Sequence, residues 1–172
     1  MGKLVQVATE TVTSPTASVK LVGTTTDDVY LATVVGGSTD SGSGEIRIRF
    51  LKDVAGTPTP QATTNYDWAN KLLRASAVFI NDPDTDETTT RGTGNIDNAF
   101  QGGNGIFYLY NFNNSSEYSF ITIESVTYGF SEGRGYAGGS VYTVAEAHNG
   151  IEFLPFGSTN IDSGTFTLYK VL

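Results

Sequence analysis

The feature that most constrains the fold of this chain is a short-range alternation of apolar and polar residues. In EIRIRFL, residues 45–51, Ile46, Ile48 and Phe50 occupy every second position. Side chains of a strand point alternately to opposite faces, so a period of two predicts a half-buried strand instead of a helix. Clusters of Gly, Ser, Thr, Asn and Pro separate such segments along the chain. Strands joined by turns are therefore the expected building blocks.

Segments of this kind recur throughout the sequence. The pattern predicts strands at 4–12, 17–22, 28–35, 45–51, 106–112, 117–130, 141–147, 151–156 and 163–172. Turns or loops are predicted at 13–16, 36–44, 55–64 and 130–140, and a long polar excursion with one short strand at 81–105. The segment 65–75 fits a helical face through Trp68, Leu72 and Leu73, but it also fits a strand, which we favour.

The fold expected from these strands is all-β. Residues 1–172 are enough for one domain with a hydrophobic core. The sequence contains no internal repeat of about 20–50 residues, which disfavours a solenoid or propeller. The 10 Phe and 9 Tyr residues are available to fill the space between two sheets. We predict a single antiparallel β-sandwich of jelly-roll type, with residues 1–12 as an N-terminal arm or an edge strand.

Charge and composition disfavour several classes of partner. The net charge is −8 and the isoelectric point is near 4.4, whereas nucleic-acid binding needs clustered Lys and Arg to neutralise phosphates. The same charge disfavours a basic membrane-binding patch, and no apolar run approaches the roughly 20 residues of a membrane span. Without cysteine, the chain has no disulfide, thiolate metal site or thiol nucleophile. We therefore expect neither nucleic-acid nor membrane partners.

Motifs for catalysis are incomplete in this sequence. The single histidine, His148, precedes the turn dipeptide Asn149-Gly150 and is predicted to be an exposed turn residue. No Gly-x-Ser-x-Gly motif supplies a nucleophile for it. We accordingly predict no enzymatic activity and no cofactor.

The acidic stretch DPDTDE, residues 82–87, has the alternating carboxylates of a calcium loop. An EF-hand loop beginning at Asp82 needs Gly at its sixth position and Glu at its twelfth, but Glu87 and Thr93 stand there. A solvated loop tip is the favoured interpretation, and a looser calcium site is the alternative. No metal ligand is assigned.

Aromatic residues are concentrated at 107–120 and must occupy both faces of neighbouring strands. One of these faces belongs to the core. Aromatics on the other face, beside Asn and Ser, suit stacking against sugars or a subunit interface. The candidate binding residues are Tyr108, Tyr110, Phe112 and Tyr118, with plain core packing as the alternative.

Three longer phrases of the sequence carry a resemblance to known proteins. They are TTNYDWANKLLRAS at 63–76, NGIFYLYNFNNSSEYSF at 104–120 and the C-terminal segment 138–172, which contains NIDSGTFTLY. Together they resemble a family of small virion structural proteins from tailed bacteriophages. The second half of the chain matches well and the first half only loosely. The chain departs from the family pattern at His148, where the family often has Asp, and this further weakens a catalytic role for that residue.

The resemblance implies an all-β, jelly-roll-like module on a phage particle. Such modules serve as capsid decoration (cement) proteins, often homotrimers, or as parts of tail and head fibres that contact host sugars. We favour decoration of the capsid surface, because the sequence has no coiled-coil heptads, no repeat and no assembled catalytic set. The expected partners are the major capsid protein and other copies of this chain. A carbohydrate-binding module of a tail or head fibre, with host surface glycans as its partner, is the alternative.

Attachment to a capsid would use a strand edge and apolar contacts. The alternating segment 1–12 could add to a neighbouring sheet as a terminal strand. The predicted interface residues are Val5 and Val7 in this segment, and Arg47 and Arg49 on the outward, polar face of the strand at 45–51. Symmetry over the shell would multiply individually weak contacts.

Overall fold

The computed structural model describes residues 2–40, 44–76, 78–96, 102–157 and 159–172. Every regular element in these ranges is a β-strand. The described residues contain no helix long and apolar enough to cross a membrane. The strands are β1 (Leu4–Val12), β2 (Val19–Val22), β3 (Tyr30–Thr39), β4 (Ile46–Val54), β5 (Thr57–Pro60), β6 (Tyr66–Arg74), β7 (Ile80–Glu87), β8 (Thr90–Arg91), β9 (Gly103–Tyr110), β10 (Ser119–Gly129), β11 (Glu132–Tyr142), β12 (Gly150–Pro155) and β13 (Ile161–Val171).

The strands form two antiparallel sheets. The large sheet has the order β1-β13-β3-β9-β10-β11-β6-β7. The small sheet has the order β2-β12-β4-β5, and β8 pairs with β4 beside β5. Strands distant in sequence, such as β1 and β13, are neighbours in space. The two sheets pack as a sandwich, and the predicted all-β, jelly-roll-like fold is confirmed.

Aromatic side chains fill the space between the sheets. The ring of Phe50, on the small sheet, lies 4.5 Å from that of Phe112 and 5.3 Å from that of Tyr66. Further along, Phe153 of the small sheet contacts Phe107 and Phe166 of the large sheet. All six side chains are fully buried. The supply of Phe and Tyr thus fills the gap between the sheets, as the composition predicts.

The segments 65–75 and 36–44 test the strand and loop predictions made from the period of two. The favoured strand at 65–75 is confirmed as β6. The loop predicted at 36–44 is wrong over its first residues, because β3 continues to Thr39. Glycine at position 37 suits this strand, since a Cβ there would lie 2.6 Å from Val34 Cγ1 and 2.9 Å from Ile46 Cδ1. Residues 41–43 lie outside the described ranges.

Two other polar or glycine-rich segments are also strands, which corrects their assignment as loop and turn. The acidic stretch 82–87 belongs to β7 and pairs with β6 at the edge of the large sheet. The glycine-rich segment 130–140 is mostly β11, which pairs with β10 on one side and β6 on the other. Backbone groups alone form such ladders, so a central strand needs few side chains. In contrast, only the first two residues of the strand predicted at 141–147 belong to a strand.

Candidate functional site

The outer face of the large sheet is apolar and is not covered by any other described element. Along β9 and β10 the side chains alternate strictly, with Phe107 and Ile123 buried and Tyr108 and Phe120 40% and 43% exposed. Other exposed apolar side chains on this face are Ile106, Val126, Tyr128 and Leu73. A contiguous patch of this kind is typical of a binding surface.

A groove runs along β11 through the middle of this face. Four outward positions of β11 carry a side chain no larger than a methyl group: Gly133, Gly135, Ala137 and Gly139. On one side, the longer side chains of β10 rise above them. On the other side, β6 contributes Lys71 opposite Ala137 and Leu73 opposite Gly135. The missing side chains therefore leave a trough between β10 and β6.

The groove contains two depressions, and one of them lies toward β7. A depression of about 540 Å³ is bounded there by Phe120, Tyr110, Gly139 and Asp67. The pairing register places the first two rings directly opposite each other, and Val141 and Asp67 continue the same row across β11 and β6. A second depression of about 380 Å³ continues along β11 over Ala137, between Leu73 and Ile106.

The acidic side chain of Asp67 lies on the outer face beside the groove. Its Oδ1 atom accepts the backbone N–H of Asp86 at 3.0 Å, and its second oxygen, Oδ2, is a further acceptor. Asp84 pairs with Trp68, whose side chain faces inward, so the register places Asp84 on the opposite face from the groove. The described residues that line this depression include no Lys or Arg.

The structure separates the four aromatic residues predicted to bind a ligand. Tyr108 and Tyr110 lie on the outer face of β9, and Tyr118, 47% exposed, lies beside Phe120 at one end of that face. Phe112 is fully buried against Phe50, so its assignment as a binding residue is wrong. The strand β9 ends at Tyr110, and the chain turns inward after it.

Sequence reasoning missed most of the groove. The sequence alone does not single out Phe120, Val141 and Asp67, because a row of residues from neighbouring strands becomes visible only once the register is known. One signal was present. In EGRGYAGGS, residues 132–140, small residues occur at every second position, which is the pattern of a bare strand face.

The two edges of the large sheet differ in how they are protected. On the β7 edge, Pro83 removes a backbone donor and three Asp residues add charge, which are common devices against edge-to-edge pairing. The β1 edge is nine residues long, has no Pro, and carries a single charge at Glu10. Its exposed residues include Leu4 and Val5, while Val7 is partly buried at a β-bulge. The β1 edge is therefore open to another strand.

The other two predicted interface residues are bonded to groups of the same chain and are largely covered. Arg47 is only 8% exposed, so the expectation that it faces outward is wrong. Its guanidinium contacts the Glu45 carboxylate at 3.3 Å and lies 3.6 Å from the centre of the Phe156 ring. Arg49 is partly buried, and its Nε donates to the backbone oxygen of Thr88. The polar face of β4 is covered by neighbouring segments instead of solvent.

Arg47 belongs to an ionic cluster that joins the two sheets. Arg91 of β8 donates to both oxygens of Asp82, at 2.8 and 2.9 Å, and to Glu45 at 2.6 Å. Both guanidinium groups also lie within 6 Å of the Trp68 ring. Burial lowers the pKa of Arg47, with the nearby charge of Arg91 acting in the same direction. Because Asp82 is used in this way, it serves as a structural ion-pair partner.

His148 is fully buried, which corrects its assignment as an exposed turn residue. Its ring lies 5.0 Å from that of Tyr142 and 5.2 Å from that of Phe50, near the centre of the aromatic core. Its backbone N–H donates to the Phe112 oxygen, and its own oxygen accepts the Thr24 hydroxyl at 2.8 Å. The residue thus anchors the loop between β11 and β12.

The polar contacts of His148 resemble a serine–histidine–acid array only in composition. Its Nδ1 lies 2.9 Å from Ser119 Oγ, and its Nε2 lies 3.5 Å from Glu146 Oε1. Ser119 and His148 have no exposed surface, so neither is accessible to a substrate in this conformation. Burial lowers the pKa of His148 to about 4, although Glu146 opposes this effect. The cluster is a buried polar support of the core.

Comparisons with known proteins add no family assignment. No protein-family model matches the chain, and no curated protein matches it significantly. Within the described residues, no three His, Asp or Glu side chains are grouped in a way that could hold a metal ion. The groove on the outer face and the open β1 edge are the two surfaces from which function is inferred.

Proposed function

We propose that this chain is a structural protein of a tailed-bacteriophage virion and that it decorates the outside of the capsid. The resemblance of residues 104–120 and 138–172 to small virion proteins supports the particle assignment. The structural observation that carries the mode of attachment is the open edge of β1, in a sheet whose other edge is protected by Pro83 and charge.

The backbone of β1 is oriented for pairing with a further strand. Lys3 and Leu172 exchange both of their backbone hydrogen bonds. In an antiparallel pair such residues alternate with residues whose N–H and C=O point away from the partner strand. The backbone groups of Leu4 therefore point away from β13 and are available to a strand from another protein. This mode of recognition is β-augmentation.

The partner in this proposal is an extended segment of the major capsid protein or of a neighbouring copy of the chain. A homotrimer would bring three such edges to one capsomer junction. Each edge supplies only a few backbone hydrogen bonds, and a net stabilisation of about 0.5–1.5 kcal/mol each is modest. Symmetric repetition over the shell would convert weak single contacts into stable occupancy.

Cryo-electron microscopy of the virion that carries this protein tests its location. Density for the chain at symmetric sites over the head would support the proposal. Density only at the tail or at a fibre tip would overturn capsid decoration.

A substitution at Leu4 tests the attachment mode. Deleting residues 1–12 is unsuitable, because β1 pairs along its length with β13 and contributes the buried Val12 to the core. Leu4→Pro removes one outward N–H at a position where an edge strand tolerates proline. Leu4→Thr removes the same leucine side chain but keeps that N–H. We expect Leu4→Pro to lower the occupancy of capsids and Leu4→Thr to retain it, whereas equal occupancy by both variants would exclude the β1 edge.

A further inference from the structure

We infer that the groove along β11 is a binding site for a neutral oligosaccharide. The groove lies on the outer face of the large sheet, and not on the β1 edge. The inference therefore goes beyond virion attachment and holds for any location of the protein on a particle.

The shape of the groove fits an extended, unbranched ligand. From Gly133 to Gly139 the floor spans six residue steps, or about 20 Å at the rise of a β-strand. Glycine lets a ligand approach the backbone closely, because no side chain stands between them. The two depressions, of about 540 and 380 Å³, follow each other along this floor. The site is thus long and shallow instead of being a closed pocket.

The aromatic rings supply the apolar part of the recognition. Phe120 and Tyr110 are cross-strand partners at one end of the groove, and Phe120 is 43% exposed. Sugars present an apolar face of C–H groups and a rim of hydroxyls. Aromatic side chains with an exposed ring face cover the C–H face of a sugar, because they offer a large rigid apolar surface. The phenol of Tyr110 adds a hydrogen-bonding group at the same place.

The polar groups around the rings suit hydroxyls. Asp67 of β6 offers a carboxylate oxygen, and Thr122 of β10 offers a hydroxyl. Carboxylates accept hydrogen bonds strongly, so they fit a ligand rich in O–H donors. The described lining of this depression carries no Lys or Arg. Further along, Lys71 stands beside Ala137 and donates to Asn81, and Glu124 stands on the other side of Ala137. Because the net charge of the chain is −8, an acidic polysaccharide or nucleic acid is disfavoured.

A peptide strand is a poorer occupant of this groove. The floor strand β11 pairs with β10 on one side and with β6 on the other. Its backbone donors and acceptors are used in these ladders, and β-augmentation requires a free edge. A neutral oligosaccharide needs only the ring faces and side-chain acceptors that the groove presents.

Isothermal titration calorimetry of the full chain tests the site with defined probes. These are the neutral hexasaccharides maltohexaose, cellohexaose, laminarihexaose and isomaltohexaose, with a hyaluronan hexasaccharide as the anionic comparison. We expect at least one neutral probe to bind. Phe120→Ala should weaken that binding about tenfold or more, as removal of a central aromatic contact does. Ala137→Ile, which fills the groove without touching the core, should weaken it as well.

Phe79→Ala is the matched control, because Phe79 is 67% exposed and does not line the groove. This variant should bind the probe as tightly as the parent protein. The inference is overturned by failure of every neutral probe to bind at millimolar concentration, by tighter binding of the anionic probe, or by binding that Phe120→Ala leaves unchanged. Sedimentation velocity completes the test, since a dimer that dissociates on Phe120→Ala would make this face a self-interface and also overturn the inference.

Discussion

Strands β9 and β10 carry apolar side chains on both faces, but only one face is covered. Phe107 and Ile123 point toward the small sheet and are fully buried, whereas Ile106 and Val126 point away from it and are 46% and 59% exposed. The two faces differ little in hydrophobicity, so composition alone does not decide which is core. The small sheet covers one face, and nothing described covers the other. An apolar face left open in this way is better explained by binding than by folding.

The largest expected contrast between the faces is in stability. Phe107→Ala removes a fully buried ring that packs against Phe153, so we expect a loss of about 3–5 kcal/mol in the free energy of unfolding. Urea denaturation followed by tryptophan fluorescence of Trp68 measures this loss. A loss below about 1 kcal/mol would mean that the two faces are energetically alike, because surface substitutions have effects of that size or smaller.

The fold was largely predictable from sequence, because alternation survives wherever one face of a strand is buried. Ile46, Ile48 and Phe50 of β4 and Phe166 and Leu168 of β13 are buried at every second position, although the polar residues between them are also largely covered. Strands without a hydrophobic face were missed. In β11 the outward positions are small, and in β7 charged residues stand at every second position, so neither pattern resembles a half-buried strand. Pairing with neighbouring backbones decided these segments instead.

The candidate site was predictable only in part. The exposed position of Tyr108 follows from alternation along β9, and Tyr110 follows in the same way. Phe112 shares that alternation pattern, but it comes after the end of β9, where the chain turns inward. His148 was misjudged because Asn149-Gly150 indicates a turn but does not show whether the turn lies at the surface. Such long-range packing is not encoded in local spacing.

The second expected contrast concerns acid. His148 is neutral in the buried core with a pKa of about 4, compared with 6.5 in an unfolded chain. Between these values the unfolded state binds more protons, so stability falls as the pH drops from about 6.5 to about 4. The difference in pKa corresponds to about 3 kcal/mol. Urea denaturation at several pH values in this range measures the slope.

His148→Gln separates this effect from that of the carboxylates. Glu146, which contacts the imidazole, and Lys52, which pairs with Glu146, remain in the variant. The slope between pH 6.5 and 4 should flatten in His148→Gln. Acid sensitivity below about pH 4.5 should remain, since hydrogen bonds from Ser76, Arg74 and Arg134 hold the pKa of Glu132 at about 2. An unchanged slope in His148→Gln would mean that the loss of stability between pH 6.5 and 4 does not come from His148, which would contradict a neutral, buried imidazole at that position.

The smallest expected change in the free energy of unfolding is that of substitutions on the outer face. Ile106→Thr and Val126→Thr replace exposed β-branched residues by another β-branched residue, so the strand propensity of β9 and β10 is kept. Each should change the free energy of unfolding by no more than about 0.5 kcal/mol, because neither removes a buried contact. Urea denaturation under the conditions used for Phe107→Ala gives a direct comparison. A loss near 2 kcal/mol in either variant would show that the outer face contributes to folding. Stability close to that of the parent protein would mean that these apolar side chains are not retained for folding, which leaves contact with a ligand or partner as their role.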